Sequence, residues 1–223
     1  MTLEVSNDWP IDSQGIWRQY LVAGDQGPLS DTPILFLDRD GVLVEEVHYL
    51  HRVEDLRIYP AAARLVSLAN AQAWRVVIVT NQAGIGRGLY GWREFEAVNA
   101  HLLDRLAAEG ARVDAVLATP HHAEGIGSLK VADHPMRKPR PGMLLDAIAH
   151  FSADATACVV VGDRATDLEA GRAAGLRRGV LVQTGYGRTE IDSARSLGTL
   201  DFRVEVVDDL GSFPSDWLIR NER

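Results

Sequence analysis

Cysteine is nearly absent: the 223-residue chain carries one, Cys158, within an apolar run over 157–161. One thiol excludes an intrachain disulfide framework and a cysteine-based metal centre, and it suits a reducing compartment. Positive charge is scarce too, with 23 Lys and Arg against 31 Asp and Glu and a formal net charge of -8. Such a chain has no overall field to attract nucleic acid or anionic lipid, so neither is an expected partner and any phosphate must be met locally. Long apolar runs are missing, and so is any Lys or Arg in the first 17 residues, which excludes a bilayer span and the charged head of a secretory signal. The expectation is a monomer in the cytoplasm.

What is present is an ordinary globular composition, 46% hydrophobic with a mean hydropathy of -0.07, long enough for a single core without covalent staples. Short apolar runs over 34–37, 75–79, 113–117, 158–161 and 179–182 read as strands. Their lack of strict alternation suits strands covered on both faces. Between them, 60–72, 92–109, 141–151 and 167–174 have helical spacing, with Pro60 and Pro141 near helix starts and Gly110 and Gly175 after helix ends. The alternation predicts an α/β fold with a doubly wound, Rossmann-like parallel sheet, in which ligands bind beyond the carboxyl ends of the strands. Residues 1–33, with Trp9, Trp17 and Tyr20, read as an N-terminal arm packed on a domain over 34–223. The aperiodic stretch 119–141 reads as a loop insertion reaching over the active edge.

Polar residues gather where those strands end: Asp38-Arg39-Asp40-Gly41, Thr80-Asn81-Gln82 and Gly162-Asp163-Arg164. One carboxylate at a strand end is commonly a helix cap, but three such ends on one sheet edge converge on a point. Asp38 and Asp163 offer hard oxygen ligands to Mg²⁺, and Lys138 can balance their charge. A carboxylate nucleophile, a divalent cation and a lysine are the requirements of phosphoryl transfer through an aspartyl-phosphate.

Asp38-Arg39-Asp40-Gly41-Val42, the run from Thr80 to Gly88, Arg137-Lys138-Pro139 with Pro141-Gly142-Met143, and Gly162-Asp163 with Asp167 resemble the four ordered motifs of haloacid dehalogenase superfamily phosphatases. Within that superfamily the resemblance is to heptose 1,7-bisphosphate 7-phosphatases, with histidinol-phosphatases next, and it covers about Ile34 to Tyr186. It implies a haloacid dehalogenase-like fold without a large cap domain. It also implies that Asp38 is the nucleophile, that Asp40 protonates the leaving oxygen and then activates water, and that Asp38, Asp163 and the Asp40 carbonyl bind Mg²⁺. Thr80, Asn81 and Lys138 would hold the transferring phosphate, Arg137 would reach the sugar or its second phosphate, and Asp167 would orient Lys138 or Arg164. The implied substrate is a small sugar phosphate, with histidinol phosphate or another small metabolite as the alternative and a non-catalytic binding module as the alternative of another class.

The chain departs from the family at a zinc-binding loop, where the cysteines are replaced and only His121 and His134 stand at ligand positions. A structural zinc is therefore not expected, and these two histidines are the candidates for any residual loop metal. Gly84, Gly86 and Gly88 follow a Thr-Asn-Gln run rather than opening a helix after the first strand, so they read as a flexible substrate loop and not a dinucleotide fingerprint. Arg87 within that loop either touches substrate or is solvated, and Cys158 reads as core.

Overall fold

The computed structural model describes residues 9–24 and 32–219; the remainder of the expected arm, 1–8 and 25–31, lies outside the described residues. Seven strands form one sheet in the order β1-β4-β3-β2-β5-β6-β7. They are β1 (Trp17–Tyr20), β2 (Ile34–Leu37), β3 (Arg75–Asn81), β4 (Ala115–Thr119), β5 (Val159–Gly162), β6 (Arg178–Val182) and β7 (Arg203–Val207). Every neighbouring pair is parallel except β1 with β4. The helices are α1 (Ala62–Ala71), α2 (Ala83–Gly86), α3 (Trp92–Ala108), α4 (Gly142–His150), α5 (Ala165–Ala173) and α6 (Gly187–Ser196).

The apolar strands are buried on both sides because alternate side chains enter two separate cores. Leu35, Leu37, Val76, Ile78, Val159 and Val161 face one layer with Leu65, Val66, Phe95 and Leu102 from α1 and α3. Ile34, Phe36, Val77, Val79 and Val160 face the other, with Met143, Leu144, Leu168 and Ala194 from α4, α5 and α6. Cys158 is buried just before β5, between the Ile34 amide and the Asp154 carbonyl, and burial pushes its thiol pKa up to about 12.

From β2 the chain winds through β3 and β4 on one side, then crosses to β5 and continues outward through β6 and β7. The strand order therefore reverses between β2 and β5, and a crevice opens there at the carboxyl ends. Asp38 follows β2, Thr80 and Asn81 end β3, and Asp163 follows β5.

Four elements, β1, α2, α6 and β7, lie outside the strands and helices read from the sequence. Strand β1 has only four residues, Trp-Arg-Gln-Tyr, too few and too polar for a periodicity signal. It is nonetheless integral to the sheet: Trp17 pairs in register with Ala118, is 1% exposed, stacks on Trp92 of α3 at 5.5 Å between ring centroids and meets Phe95 of the same helix edge-on at 5.2 Å. Helix α6 is mostly polar, with Ala194 buried and Ile191 packed beside it, and β7 is a half-exposed edge. The glycine run after β3 forms the short helix α2 rather than a flexible loop, and Gly86 lies so close to the Pro120 carbonyl that a Cβ would collide with it.

Trp17→Ala should lower the unfolding free energy by about 3–5 kcal/mol, the usual range for deleting a large buried aromatic side chain. Denaturant unfolding of the purified variant measures this, and a loss below about 1 kcal/mol would mean that the arm strand is dispensable to the sheet.

Candidate active site

A cavity of about 450 Å³ opens at the crevice, lined by Asp38, Asp40, Thr80, Asn81, Arg137, Lys138 and Asp163. The seven residues singled out for the chemistry are thus brought to one place.

Lys138, 3% exposed, is the centre of this arrangement. Its Nζ donates to the Val79 carbonyl at 2.8 Å and lies 3.0 Å from Asp38 and 2.6 Å from Asp167. The three donors of the ammonium thus have three acceptors. Burial works against its charge, but Asp167 and Asp38 outweigh it and raise its pKa above the ordinary lysine value. The backbone of Lys138 is fixed by Asn81, whose Oδ1 accepts the Lys138 amide at 3.1 Å and whose Nδ2 donates to the Lys138 carbonyl at 3.0 Å.

Asp38, Asp163 and Asp167 offer oxygens that all lie within 4.8 Å of one another. Burial raises the pKa of Asp38 despite the pull of Lys138, and burial together with the neighbouring Asp38 and Asp167 raises that of Asp163. Three clustered buried carboxylates, two of them against the single ammonium, leave a deficit of positive charge in a donor set made of hard oxygens, and this fits Mg²⁺. Asp167 also caps α5, accepting the Arg164 amide at 3.0 Å, so it serves Lys138 and the Arg164 backbone together.

Gly41 makes the close approach feasible. Its φ is +82°, and a Cβ there would run into the Asp163 carboxylate. Asp163 is also tied to the next crossover, accepting the Tyr186 amide at 2.8 Å.

Asp40 stands on the other side of the cavity, its carboxylate gripped by Arg39 through Nε at 3.2 Å and Nη2 at 3.0 Å and by Gln82 Nε2 at 2.9 Å. Sequence reading gave Arg39 and Gln82 no role. An arginine between two aspartates directly after an all-apolar strand carries a usable signal, since a guanidinium buried there must find a carboxylate.

Arg137 and Arg164 both line the cavity. Arg137 Nη1 donates to the His121 carbonyl at 2.9 Å, and burial and the like charge of Arg164 lower its pKa. The Arg164 guanidinium sits over the Tyr186 ring, 3.6 Å from its centroid. Arg87 is held by Tyr49 Oη at 2.5 Å and Glu124 at 3.1 Å. His121 and His134 are buried and stack face to face, 3.7 Å between ring centroids with planes 7° apart. The Met136 amide donates to His134 Nδ1 at 3.2 Å, and His121 Nδ1 lies 3.2 Å from Thr119 Oγ1. Burial and the neighbouring His134 push the pKa of His121 down to about 4, and burial lowers that of His134.

A family model described as HAD-hydrolase-like matches residues 135–211. The D-glycero-beta-D-manno-heptose-1,7-bisphosphate 7-phosphatase of Mesorhizobium japonicum is 38% identical over 204 residues, covering 89% of this chain and 93% of that protein. Among solved structures, a HAD-like phosphatase from Mesorhizobium loti superposes with a TM-score of 0.82 at 35% identity, covering 96% of this chain and 100% of that one. The D,D-heptose 1,7-bisphosphate phosphatase of B. bronchiseptica, complexed with magnesium and phosphate, superposes with a TM-score of 0.70 at 29% identity, covering 84% and 98%. The chain therefore belongs to the haloacid dehalogenase-like phosphatases, in the family of the D-glycero-manno-heptose-1,7-bisphosphate 7-phosphatases.

Proposed function

We propose that this protein is a Mg²⁺-dependent phosphatase that removes the 7-phosphate of D-glycero-D-manno-heptose 1,7-bisphosphate through an aspartyl-phosphate, acting as a monomer in the cytoplasm. The observation that carries this reading is the buried trio Asp38, Asp163 and Asp167, with Lys138 against two of them, at the point where the strand order reverses. Asp38, Asp163 and the Asp40 carbonyl would hold Mg²⁺, which supplies positive charge against the phosphoryl oxygens and the carboxylates. The Thr80 hydroxyl receives the transferring phosphate, Lys138 sets its charge beside it through the contact with Asp38, and Asn81 acts through the Lys138 backbone it clasps.

The Asp38 carboxylate attacks phosphorus, the P–O bond to the sugar breaks, and Asp40 gives its proton to the departing oxygen. Water then attacks phosphorus of the acyl phosphate, Asp40 takes a proton from it, and inorganic phosphate leaves with Asp38 restored. Among heptose bisphosphate (both anomers), histidinol phosphate and nucleotides, heptose bisphosphate should show the highest kcat/KM; a higher value for histidinol phosphate would reassign the substrate while leaving the chemistry.

Asp38→Asn should abolish turnover, because an amide is a poor nucleophile and lacks the charge needed near Mg²⁺. With labelled p-nitrophenyl phosphate, whose leaving group departs without a proton, Asp40→Asn should still accept labelled phosphate but release it about 10²–10⁴-fold more slowly. Acid-quenched labelling reads both, and wild-type turnover by the Asp38→Asn protein would overturn the mechanism.

A bisphosphate brings a second dianion, and Arg137, already repelled by Arg164, gains a partner from it. Arg137→Ala should therefore reduce kcat/KM for the bisphosphate by at least ten times the factor seen with a small monophosphate ester, on the order of a lost charged hydrogen bond. Equal losses would place Arg137 at the reacting phosphate instead.

We further propose that the loop over 119–141 is held by the stacked His121 and His134 without zinc. Support comes from His134 Nδ1 being engaged by the Met136 amide and from the absence of a thiolate in the loop. Both imidazoles have folded-state pKa values below the unfolded one, so the unfolded chain binds more protons in mild acid. Their contribution is complete above about pH 6.5 and is lost as pH falls toward 4. Acidification across that window should destabilise the wild type more than a His121→Phe, His134→Phe double variant, and elemental analysis should find less than one zinc per chain. Stoichiometric zinc, lost in the double variant, would refute this.

A further inference from the structure

Gln82 is 2% exposed, at the end of β3, and all four polar contacts of its carboxamide are to residues around the reacting centre. Its Oε1 accepts from Tyr90 Oη at 2.6 Å and from Arg39 Nη2 at 3.2 Å. Its Nε2 donates to Asp40 Oδ2 at 2.9 Å and to Thr80 Oγ1 at 2.8 Å. Chemistry fixes this orientation. A guanidinium can only donate, so exchanging the amide oxygen and nitrogen would set the Gln82 NH₂ against the Arg39 donor.

Two consequences follow for groups that the reaction uses. Asp40, with one oxygen bound by the amide and the carboxylate gripped by Arg39, is confined to one rotamer facing the cavity. Thr80, whose oxygen already accepts from Nε2, has its single hydroxyl proton left for another acceptor, and its side chain lines the cavity where the phosphate is received. The amide is in turn held at its backbone, where its N–H donates to the Thr119 carbonyl at 2.8 Å.

We propose that Gln82 is a positioning residue that aims the Asp40 carboxylate and the Thr80 hydroxyl together, coupling proton transfer to phosphate binding through one carboxamide. This rests on the assignment of Asp38 and Asp40 above. Gln82 does not touch the reacting atoms. Its effect falls on the step most dependent on the Asp40 geometry, the hydrolysis of the acyl phosphate, in which water loses a proton as it attacks. Transfer from p-nitrophenyl phosphate to Asp38 needs little help, since the departing nitrophenolate is stable without a proton. Transfer from a sugar phosphate expels a poor leaving group and needs the acid.

Gln82→Glu keeps the volume and both acceptor contacts to Tyr90 and Arg39 but places an oxygen where Nε2 donates; Gln82→Met removes all four contacts. With labelled p-nitrophenyl phosphate and Mg²⁺, acid quenching should trap close to one labelled phosphate per chain in both variants. Steady-state turnover should fall about 100-fold, in the range for a displaced general base, with the melting temperature of Gln82→Glu near that of the wild type. Turnover of the sugar phosphate should fall further than that of the aryl phosphate. Steady-state rates within about threefold of wild type, or loss of labelling in parallel with turnover, would overturn the proposal. Asp40→Asn serves as the control: if it labels and the Gln82 variants do not, the assignment of Gln82 alone fails, and if none labels, the aspartyl-phosphate mechanism fails with it. Should Gln82→Met not fold, Gln82→Glu decides by the same criteria.

Discussion

A lysine ammonium buried among carboxylates at the end of a parallel sheet is the constraint on which the site depends. Removing such a charge from water carries a penalty of several kcal/mol, and it is tolerable only where every proton finds an acceptor. Lys138 meets that condition through Val79, Asp38 and Asp167, three partners on β3, after β2 and on α5. A side chain that must touch all three fixes how those elements stand relative to one another. The main chain around it is fixed by the two hydrogen bonds of Asn81, so the loop carrying Lys138 enters the crevice at one depth. The catalytic edge is thus held from below by two apolar layers and from above by an electrostatic knot.

The same knot leaves negative charge that the divalent cation proposed above would neutralise. Lys138 alone cannot neutralise Asp38, Asp163 and Asp167, and the raised pKa values of Asp38 and Asp163 express that shortfall. Gly41 is part of this arrangement, since the chain after β2 must pass against the Asp163 carboxylate with no side chain between them. Charge density and backbone proximity are achieved together, by a residue type that permits both a positive φ and close contact.

Much of this was legible in the sequence because its two strongest signals coincide. Continuous apolar runs such as 34–37 and 158–161 can hardly be anything but doubly covered strands, and a polar residue directly after such a run has to sit at the strand end. The topology then places Asp38, Thr80 and Asp163 on one edge whatever the loops do. Strand β1 and helix α6 escaped because their apolar content is one or two residues each, and only tertiary contact makes them elements: Trp17 against α3, Ala194 against the sheet. Gln82 escaped for another reason. A glutamine at a strand end has no preferred chemistry, and its importance lies in the four partners that distant segments bring to it, which no spacing rule encodes. The glycines after it read as flexibility, whereas Gly84 against Tyr90 and Gly86 against Pro120 are the close-packing positions of a short helix.

The outer half of the site is built on a different principle from the inner half. Asp38, Lys138, Asp163 and Asp167 are fixed by strand ends and by one another, but Arg137 is anchored by the carbonyl of His121, in the same aperiodic loop. The ring of His121 is held in turn by stacking on His134, so the position of Arg137 depends on an apolar contact between two neutral imidazoles. Lys138 is the next residue in the chain, yet its position is set independently by three buried acceptors. Loosening the histidine stack should thus move the arginine while leaving the lysine in place. On the roles proposed for Lys138 and Arg137, one loop thereby serves two functions that can vary separately, with reaction chemistry tied to the sheet and recognition of the rest of the substrate tied to the loop's own packing.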